Sequence, residues 1–342
     1  MHPDLAIVPD FPLQTLNTFG IAASAKAYLR LTEVAQLDAL RADPVLSTMP
    51  RLLLGGGSNI VLTGDVDALV LHMAVAGREI AGVANGHTLV RCGGGENWHG
   101  FVQWTLAQGL GGLENMSLIP GTVGAAPIQN IGAYGTELKD VFHSLTAYDM
   151  ASGETRTMLA GDCRFGYRDS IFKHADGANL VIVDVTFALA QAWQPNLRYA
   201  ELALAVKDAG LEAPNAQQIS DIVVAIRRRK LPDPAVVGNA GSFFKNPVVS
   251  GAQCAQLLAA FPALVHHAQP DGSEKLAAGW LIDQCGWKGK TMGAAGVYPK
   301  QALVLVNNGG ASGAEVVALA RAIQADVAAR YGVQLETEPV FI

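Results

Sequence analysis

The sequence predicts a mixed fold of helices and strands that divides into two or three domains. A chain of 342 residues is longer than a single hydrophobic core usually organises. Hydrophobic residues make up 50% of it, which is enough for more than one core. Short apolar runs typical of strands also alternate with segments of helical spacing.

The N-terminal part predicts a small α/β lobe. Residues 27–29 and 51–54 are short apolar runs that favour strands. Residues 33–41 lie between them and have the spacing of a helix.

The middle of the chain is richer in strands. Residues 89–92 and 180–187 carry the β-branched side chains that strands favour. Residues 96–110 place Trp98 and Phe101 at helical spacing. We expect these two aromatic side chains to belong to a core.

A domain boundary is predicted where a helix over residues 217–229 meets Leu231-Pro232-Asp233-Pro234. Proline cannot continue a helix, and it restricts the residue before it. The basic run 227–230 at this helix end is typical of a solvated helix terminus. A small anionic ligand is the other partner that would suit it.

The last third predicts a separate α/β unit. Its helices are expected over residues 273–285 and 314–330, and Ser312 and Glu315 form a capping-box pattern before the second. Residues 302–306 are a buried-strand candidate.

Charge and composition exclude several classes of protein. A net charge of -6 gives no basic field for a nucleic acid backbone. We found no apolar run of about 18 residues and no secretion signal, so we expect no membrane partner. The four cysteines form no CxxC pair, which favours reduced thiols in the cytoplasm. His266-His267 has no evident third ligand, so no metal centre is predicted.

Three glycine-rich segments could approach a ligand closely. Residues 55–59 and 93–97 share the form Gly-Gly-Gly-x-Asn, and each follows an apolar run. Consecutive glycines expose backbone N–H groups that can wrap a diphosphate, although each segment could also be an ordinary turn. Residues 119–135 are nearly free of charge and rich in glycine and alanine, which suggests backbone packed against a flat ligand.

Residues 238–247, Gly-Asn-Ala-Gly-Ser-Phe-Phe-Lys-Asn-Pro, hold one hydroxyl among hydrogen-bonding groups. Ser242 is expected to be exposed there, with Lys245 and Asn246 as polar surroundings. A plain turn leading into a strand is equally compatible with this composition. Known nucleotide fingerprints do not fit, because the chain has neither GxGxxG nor a complete P-loop.

Long blocks of the chain resemble one enzyme family, the UDP-N-acetylenolpyruvoylglucosamine reductases of peptidoglycan precursor synthesis. The blocks are residues 55–59, 120–135, 164–173 and 238–247, in order. The resemblance implies an α+β chain with an FAD-binding fold of the vanillyl-alcohol oxidase type in two lobes, 1–72 and 73–229. A separate α/β substrate-binding domain would occupy 230–342.

The resemblance also implies the chemistry: noncovalent FAD, NADPH as reductant, and small-molecule substrates. Ser242 would protonate C2 of the enolpyruvyl group, while Arg168 and Glu338 would stabilise the charge that develops beside it. Substrate-handling positions would be Tyr199, Lys230, Asn246 and Gln301, with Tyr199 on a lid. The FAD positions would be Gly55, Gly56, Gly57, Ser58, Asn59, Pro120, Gly121, Gly124, Ala125, Ile128, Gln129, Asn130, Gly132, Ala133 and Tyr134.

One departure and two alternatives stay open. The family usually continues its glutamate with valine and arginine, whereas Pro339 follows Glu338 here. This leaves Glu336 as a competitor for the site role, although the spacing from Leu335 favours Glu338. An FAD oxidase that reacts with oxygen and a nucleotide-sugar binding module without catalysis are the alternative functions.

Overall fold

The computed structural model describes residues 5–342. Residues 1–4, where the predicted first lobe begins, lie outside the described residues. The described chain forms two compact units. Unit 1 contains the residues up to Phe11, Ala25–Gly56 and Asp67–Arg227, and unit 2 contains Pro12–Ser24, Gly57–Val66 and Arg228–Ile342.

The elements are numbered in chain order. The strands are β1 (Val8–Pro12), β2 (Ser24–Leu31), β3 (Arg51–Leu54), β4 (Ile60–Val61), β5 (Val66–Met73), β6 (Arg78–Ala84), β7 (His87–Gly93), β8 (Gly132–Ala133), β9 (Thr136–Glu137), β10 (Phe142–Asp149), β11 (Thr155–Leu159), β12 (Leu180–Ala190), β13 (Gly238–Ser242), β14 (Val248–Ser250), β15 (His266–Ala268), β16 (Ser273–Leu276), β17 (Thr291–Met292), β18 (Ala295–Val297), β19 (Val304–Asn307) and β20 (Val340–Phe341). The α-helices are α1 (Ala35–Ala42), α2 (Trp98–Ala107), α3 (Ala160–Cys163), α4 (Ala200–Asp208), α5 (Ala216–Lys230), α6 (Gly251–Ala260), α7 (Ala278–Gln284) and α8 (Gly313–Tyr331). Single 3-10 turns cover Gln14–Leu16, Leu46–Thr48, Glu114–Met116, Val123–Ala125, Leu138–Asp140, Ile171–Lys173 and Ala175–Gly177.

The first sheet of unit 1 has the strand order β1-β2-β5-β3, with β3 and β5 parallel. The predicted strands at residues 27–29 and 51–54 lie in β2 and β3, and the predicted helix is α1. Leu29, Leu37 and Leu69 meet in one hydrophobic core cluster of unit 1. The apolar alternation of β2 and the apolar stripe of α1 therefore bury each other.

The second sheet of unit 1 has the order β11-β10-β12-β7-β6 and is antiparallel throughout. Strand β12 contacts both β10 and β7 at its centre. Trp98 and Phe101 of α2 pack against Phe187 of β12, with ring centroids 5.8 and 5.2 Å apart. The expectation that these aromatic residues are core is confirmed.

A shared core connects the two sheets of unit 1. Tyr148 of β10 and Val181 of β12 lie in the same hydrophobic cluster as Leu37 of α1. The hydroxyl of Tyr148 donates a hydrogen bond of 2.6 Å to Asp38. Farther along the chain, α4 and α5 form a smaller core with Leu202, Val206, Ile219, Val223 and Ile226 at its centre.

Unit 2 contains the sheets β13-β19-β18-β17 and β14-β16-β15, and the parallel pair β20-β4. Helix α8 begins with the predicted capping box: the Ser312 hydroxyl accepts from Glu315 N, and the Glu315 carboxylate accepts from Ser312 N. It ends at Gly332 with φ +64°, the left-handed cap that glycine favours.

The predicted helix over residues 273–285 is wrong in its first part. Residues Ser273–Leu276 are strand β16, the central strand of a three-stranded sheet, and the helix covers only Ala278–Gln284. Strand pairing with β14 and β15 overrides the helical preference that the sequence of these four residues suggests. The predicted strand over 302–306 begins later, at Val304, because Val304 N first closes a turn onto Gln301 O.

The two units divide inside α5, between Arg227 and Arg228, just before the predicted proline boundary. The division of the FAD part into two lobes stays a prediction. Within residues 5–342 there is no helix with the length and apolar character needed to span a bilayer.

Candidate active site

The first glycine segment is residues 55–59, and residues 119–135 are called the charge-free block below. In unit 1, Gly55 and Gly56 pack directly against this block. A methyl group on Gly56 would lie 2.8 Å from Cα of Gly121, and one on Gly55 would lie 2.6 Å from Oγ1 of Thr122. Both distances are shorter than real side chains tolerate. Gly56 can therefore lie against the backbone of Gly121, and Gly55 against the Thr122 side chain, only because both are glycines.

The second glycine segment joins the same structure. A methyl group on Gly124 would lie 2.9 Å from Cα of Gly94, and Gly124 N donates a 2.9 Å hydrogen bond to Gly94 O. The sequence left residues 93–97 open as a simple turn. In unit 1 residues 94–96 do form a turn at the end of β7, and this turn packs against Gly124. We call Gly55, Gly56, Gly94 and residues 121–124, which pack together here, the glycine cradle.

A buried polar atom in the cradle has no partner among the described residues: Oγ1 of Thr122. Leaving a buried hydroxyl without a hydrogen bond costs about 1–3 kcal/mol, so such an atom marks a place where a bound group completes the bonding. Backbone N–H groups and a hydroxyl are suitable donors for the phosphates of a dinucleotide. The cradle therefore fits FAD.

The Arg168 segment is tied to the charge-free block. Nη2 of Arg168 donates to Gly132 O at 3.0 Å. The side-chain amide of Asn130 donates to Gly166 O at 3.0 Å, and the Ser170 hydroxyl donates to Ile128 O at 2.6 Å. Unit 1 thus brings Arg168 to the residues predicted for FAD.

Three predicted site residues have left-handed backbone conformations: Asn130 (φ +43°), Tyr134 (φ +49°) and Arg168 (φ +55°). Residues other than glycine rarely adopt this conformation, and it costs on the order of 1–3 kcal/mol. Asparagine tolerates it better than tyrosine or arginine does. Strain of this kind concentrates at functional sites, which supports the assignment of this region.

Tyr199 precedes α4 and meets Tyr134 edge to face, with ring centroids 5.2 Å apart. Its side chain is exposed, and its backbone lies close to Gly135. Tyr199 therefore stands at the end of the charge-free block with its ring accessible to a ligand.

A solvated helix end and a small anionic ligand were both left open for the basic run 227–230, and only the structure singles out Arg227 within it. Its flanking residues Arg228 and Arg229 are exposed, as expected of a solvated helix end, but Nε of Arg227 is buried with no hydrogen-bond partner among the described residues. Burial lowers the pKa of Arg227, while the nearby Tyr134 acts in the opposite direction. Leaving a buried donor without an acceptor is costly, so Nε of Arg227 fits an acceptor or anionic group of a ligand. Only the burial of its Nε distinguishes Arg227 from the rest of the basic run 227–230, and burial cannot be read from the sequence.

In unit 2, residues Gly57, Ser58 and Asn59 continue the first glycine segment. Gly57 has φ +59°, and a methyl group there would collide with Leu16 O. The side-chain amide of Asn59 donates to Glu338 O at 3.2 Å, and Asn59 O accepts from Val340 N at 3.0 Å. A predicted FAD residue and a predicted catalytic residue are thus joined within this unit.

Ser242 is exposed at the end of β13, and an irregularity in the strand directs it there. The register of β13 with β19 shifts between Asn239 and Ser242, and Gly241 has φ +69°. The side chain of the buried Asn239 accepts from Gly241 N at 2.9 Å. Such bulges re-aim side chains beside active sites. Gly241 and Asn239 therefore shape the bulge that directs the Ser242 side chain.

The two phenylalanines after Ser242 anchor this segment in the core. Phe243 and Phe244 are buried, and Phe243 N donates to Leu303 O at 2.7 Å. Lys245, expected beside Ser242, instead forms an ion pair of 2.9 Å with Glu336. Asn246 accepts a hydrogen bond of 3.0 Å from Ala278 N at the start of α7. Their polar groups are therefore already engaged with neighbours in unit 2.

Glu336 and Glu338 lie on the segment that pairs with Phe243–Lys245. Glu338 N donates to Phe243 O at 2.9 Å, and Lys245 N donates to Glu336 O at 2.9 Å. Glu338 is half-buried, whereas 75% of the Glu336 side chain is exposed. Pro339 is buried, and the neighbouring bonds are made by residues 338 and 340, so the missing donor of proline costs nothing here.

The remaining predicted substrate positions also lie in unit 2. Gln301 lies next to α7: its Oε1 is 3.3 Å from where a methyl group on Gly279 would be, and it accepts from Leu303 N. Gln301 and Asn246 thus both approach the first turn of α7. Lys230 is the last residue of α5 and is half-buried.

The other predicted FAD positions lie around the cradle and the block. Gly132 and Ala133 form β8, which pairs with β9. Ala125 ends a 3-10 turn that begins at Val123. Pro120 and Gln129 complete the block, and its members Gly124 and Asn130 are buried.

Two family models match this chain. The model of the UDP-N-acetylenolpyruvoylglucosamine reductase C-terminal domain matches residues 233–342, and the model of an FAD-binding domain matches residues 25–158. The second range contains both the glycine cradle and the charge-free block.

Curated relatives match over nearly the full length. A UDP-N-acetylenolpyruvoylglucosamine reductase of Azoarcus sp. (strain BH72) is 58% identical, and one of Burkholderia orbicola (strain MC0-3) is 56% identical; each alignment covers 99% of this chain and 99% of the relative. The chain belongs to the UDP-N-acetylenolpyruvoylglucosamine reductase family. It is an FAD-dependent oxidoreductase, as its FAD-binding domain indicates.

A solved structure of this family has the same fold. The crystal structure of UDP-N-acetylenolpyruvylglucosamine reductase from Thermus caldophilus aligns with a TM-score of 0.66 at 22% identity, over 98% of this chain and 99% of that one. The expectation of an α+β chain with an FAD-binding fold of the vanillyl-alcohol oxidase type is confirmed.

Proposed function

We propose that this protein reduces the enolpyruvyl ether of UDP-N-acetylglucosamine-enolpyruvate to UDP-N-acetylmuramate, with NADPH as reductant. Full-length relatives at 58% identity support the substrate class. Noncovalent FAD, when bound, would accept hydride from NADPH and deliver it to C3 of the enolpyruvyl group. The remaining task for the protein is to place one proton on C2.

Ser242 is the proposed proton donor. The observation that carries this assignment is the bulge in β13, which exposes the Ser242 hydroxyl while Phe243 and Phe244 are buried behind it. A hydroxyl is a weak acid, but a carbanionic carbon is a strong base, so a fixed hydroxyl suffices. The pairing of Glu338 N with Phe243 O keeps the glutamate segment against this strand.

Charge stabilisation is the proposed role of Arg168 and Glu338. Arginine stays protonated and can bind a carboxylate with two parallel hydrogen bonds. Its strained backbone and its bond to Gly132 O fix its position in unit 1. Tyr199, Lys230, Asn246 and Gln301 would hold the diphosphate and sugar through hydroxyl, ammonium and amide groups. The exposed ring of Tyr199 would cover the substrate.

Stopped-flow measurement of the two half-reactions tests the proposal. In Ser242→Ala, flavin reduction by NADPH should keep its normal rate. Flavin reoxidation by the enolpyruvyl nucleotide sugar should slow by about 10²- to 10⁴-fold, because that step alone needs the donated proton. Ser152→Ala, an exposed serine in a turn of unit 1, is the control and should change neither rate.

Equal slowing of both half-reactions in Ser242→Ala would overturn the assignment of Ser242. The parent enzyme separates the functions: if its reduced flavin responds only to oxygen and not to the nucleotide sugar, the protein is an oxidase instead.

A further inference from the structure

A group of three potential metal ligands lies in unit 2 between α6 and the sheet β14-β16-β15. Cys254 comes from α6, His266 from β15 and Glu274 from β16. One ligand atom from each residue lies within 4.8 Å of the other two. The sequence alone does not reveal this group, because the three residues lie in separate segments of the chain. Only the fold brings Cys254 and Glu274 close to His266.

The register of the sheet explains why two of the three side chains meet. His266 is paired with Leu276, and Ala268 with Glu274. Residues two apart share a face of a strand, so His266 and Glu274 are diagonal neighbours on the face that also carries the buried Leu276. Nδ1 of His266 lies 2.8 Å from Oε2 of Glu274.

The third side chain comes from the helix that covers this sheet. Cys254 is 2% exposed, while 34% of the His266 side chain and 19% of the Glu274 side chain remain accessible. The thiol is thus inside and the other two groups reach the surface. This arrangement leaves a path from solvent to the three ligand atoms.

A layer between a helix and a sheet is normally apolar, and three polar groups in it need a reason. Among the described residues, Oε2 of Glu274 lies 2.8 Å from Nδ1 of His266, and the Cys254 thiol lies within reach of both groups. A divalent cation would neutralise a thiolate and a carboxylate together.

The donor set selects the metal class. Sulfur, imidazole nitrogen and carboxylate oxygen together are ligands of zinc, whereas calcium and magnesium take oxygen ligands. With zinc–ligand bonds of about 2.0–2.3 Å, tetrahedral ligand atoms lie roughly 3.3–3.7 Å apart. The observed separations need only small side-chain rotations to reach that geometry.

We infer that Cys254, His266 and Glu274 form a zinc-binding site that ties α6 to β15 and β16, with the fourth position open to water. On binding, the thiol gives up its proton to solvent, and the metal takes the place of the hydrogen bond between His266 and Glu274. The simpler arrangement, a hydrogen-bonded histidine–glutamate pair beside a cysteine that binds no metal, is the outcome to be distinguished.

The test uses the FAD-loaded full chain, stripped of metal, and titrates it with Zn²⁺ against a chromophoric chelator. The expected result is one tightly bound equivalent, weakened by more than about 100-fold in Cys254→Ser. Co²⁺ added instead of Zn²⁺ should produce a thiolate-to-cobalt charge-transfer band that Cys254→Ser abolishes. Zn²⁺ should also raise the unfolding temperature of the parent but not of this variant.

Two matched controls come from the chain itself. Cys285→Ser removes the other thiol of unit 2, which is half-buried. His267→Gln changes the exposed neighbour of His266 on the opposite face of β15. Both variants should bind Zn²⁺ like the parent. The inference is overturned if the parent binds no more tightly than Cys254→Ser, or if the cobalt band survives in Cys254→Ser.

Discussion

Glu336 and Glu338 are two residues apart, yet their surroundings differ. Glu336 is exposed and paired with Lys245, while Glu338 is half-buried beside the chain that leads from Ser242. An exposed ion pair contributes little, typically below about 1 kcal/mol. These surroundings favour Glu338 for the proposed site role, in agreement with the choice made from sequence spacing.

Replacing each glutamate by glutamine tests this choice. Glu338→Gln should lower turnover by about 10²-fold or more, the usual loss for one stabilising group at a reaction centre. Glu336→Gln should stay close to the parent, because it removes only a surface ion pair. Steady-state kinetics with the nucleotide sugar measure both. Normal turnover in Glu338→Gln would refute its role and transfer attention to Glu336.

In the turn at residues 55–59, two independent constraints require glycine at position 57. Its φ is +59°, and a methyl group would strike Leu16 O. Left-handed strain costs a non-glycine residue about 1–3 kcal/mol, and overpacking adds a similar amount. Gly57→Ala should therefore lower the free energy of unfolding by at least about 2 kcal/mol.

The matched control is Gly64, which also lies in unit 2. A methyl group there meets nothing within 4 Å, and its backbone is not left-handed. Gly64→Ala should change the free energy of unfolding by less than about 1 kcal/mol. Urea unfolding of both variants decides the matter, and equal losses in the two would contradict the steric explanation.

Within the five-stranded sheet, Asp184 of β12 is a half-buried carboxyl group. Burial raises its pKa most, against the hydrogen bond of 3.0 Å from the Thr146 hydroxyl and the charge of Arg91. A raised pKa means that the folded protein binds the proton more tightly than the unfolded chain. The contribution of Asp184 to the free energy of unfolding is therefore greatest below the pKa that it has in the unfolded chain, about 3.9. This contribution is lost as pH rises through the pKa of Asp184 in the folded protein.

Asp184→Asn should reproduce the protonated state at every pH. The variant should be more stable than the parent at pH 7, and the difference should shrink toward zero as pH falls toward about 4. Urea unfolding across this range measures it. Asp67→Asn, whose side chain is 85% exposed, is the control for replacing a surface carboxyl group and should change the free energy of unfolding by less than about 1 kcal/mol. A constant difference for Asp184→Asn would show that its charge is not the cause.

For the whole molecule, FAD is the first ligand to test. We expect the purified protein to be yellow, and denaturation should release the flavin through an ultrafiltration membrane because no covalent link is expected. A ligand at 100 times its Kd adds about 2.7 kcal/mol to the free energy of unfolding, which should raise the unfolding temperature by several degrees. Riboflavin, which lacks the diphosphate, should stabilise much less if the cradle holds phosphates.

A colourless protein that FAD does not stabilise would contradict the cofactor assignment. That outcome would instead favour a nucleotide-sugar binding module without redox chemistry. Both measurements need only the parent chain.

Patterns that act over a few residues could be predicted from the sequence. The capping box of α8, the strands β2, β3 and β12, and the apolar face of α2 all follow from contacts between near neighbours. The long blocks at 120–135 and 238–247 were also sufficient to indicate the family, because blocks of this length and composition in this order do not match by chance.

Only the tertiary structure decided which residues from distant parts of the sequence come together. It turned Ser273–Leu276 into a strand, packed Gly94 against Gly124 and gathered Cys254, His266 and Glu274. It also buried Nε of Arg227 without a hydrogen-bond partner among the described residues. The physical reason is the same in each case: burial and pairing depend on residues far away in the chain, and no local pattern carries them. The sequence by itself therefore determined the family and its local elements, and the fold decided which polar groups are left for ligands.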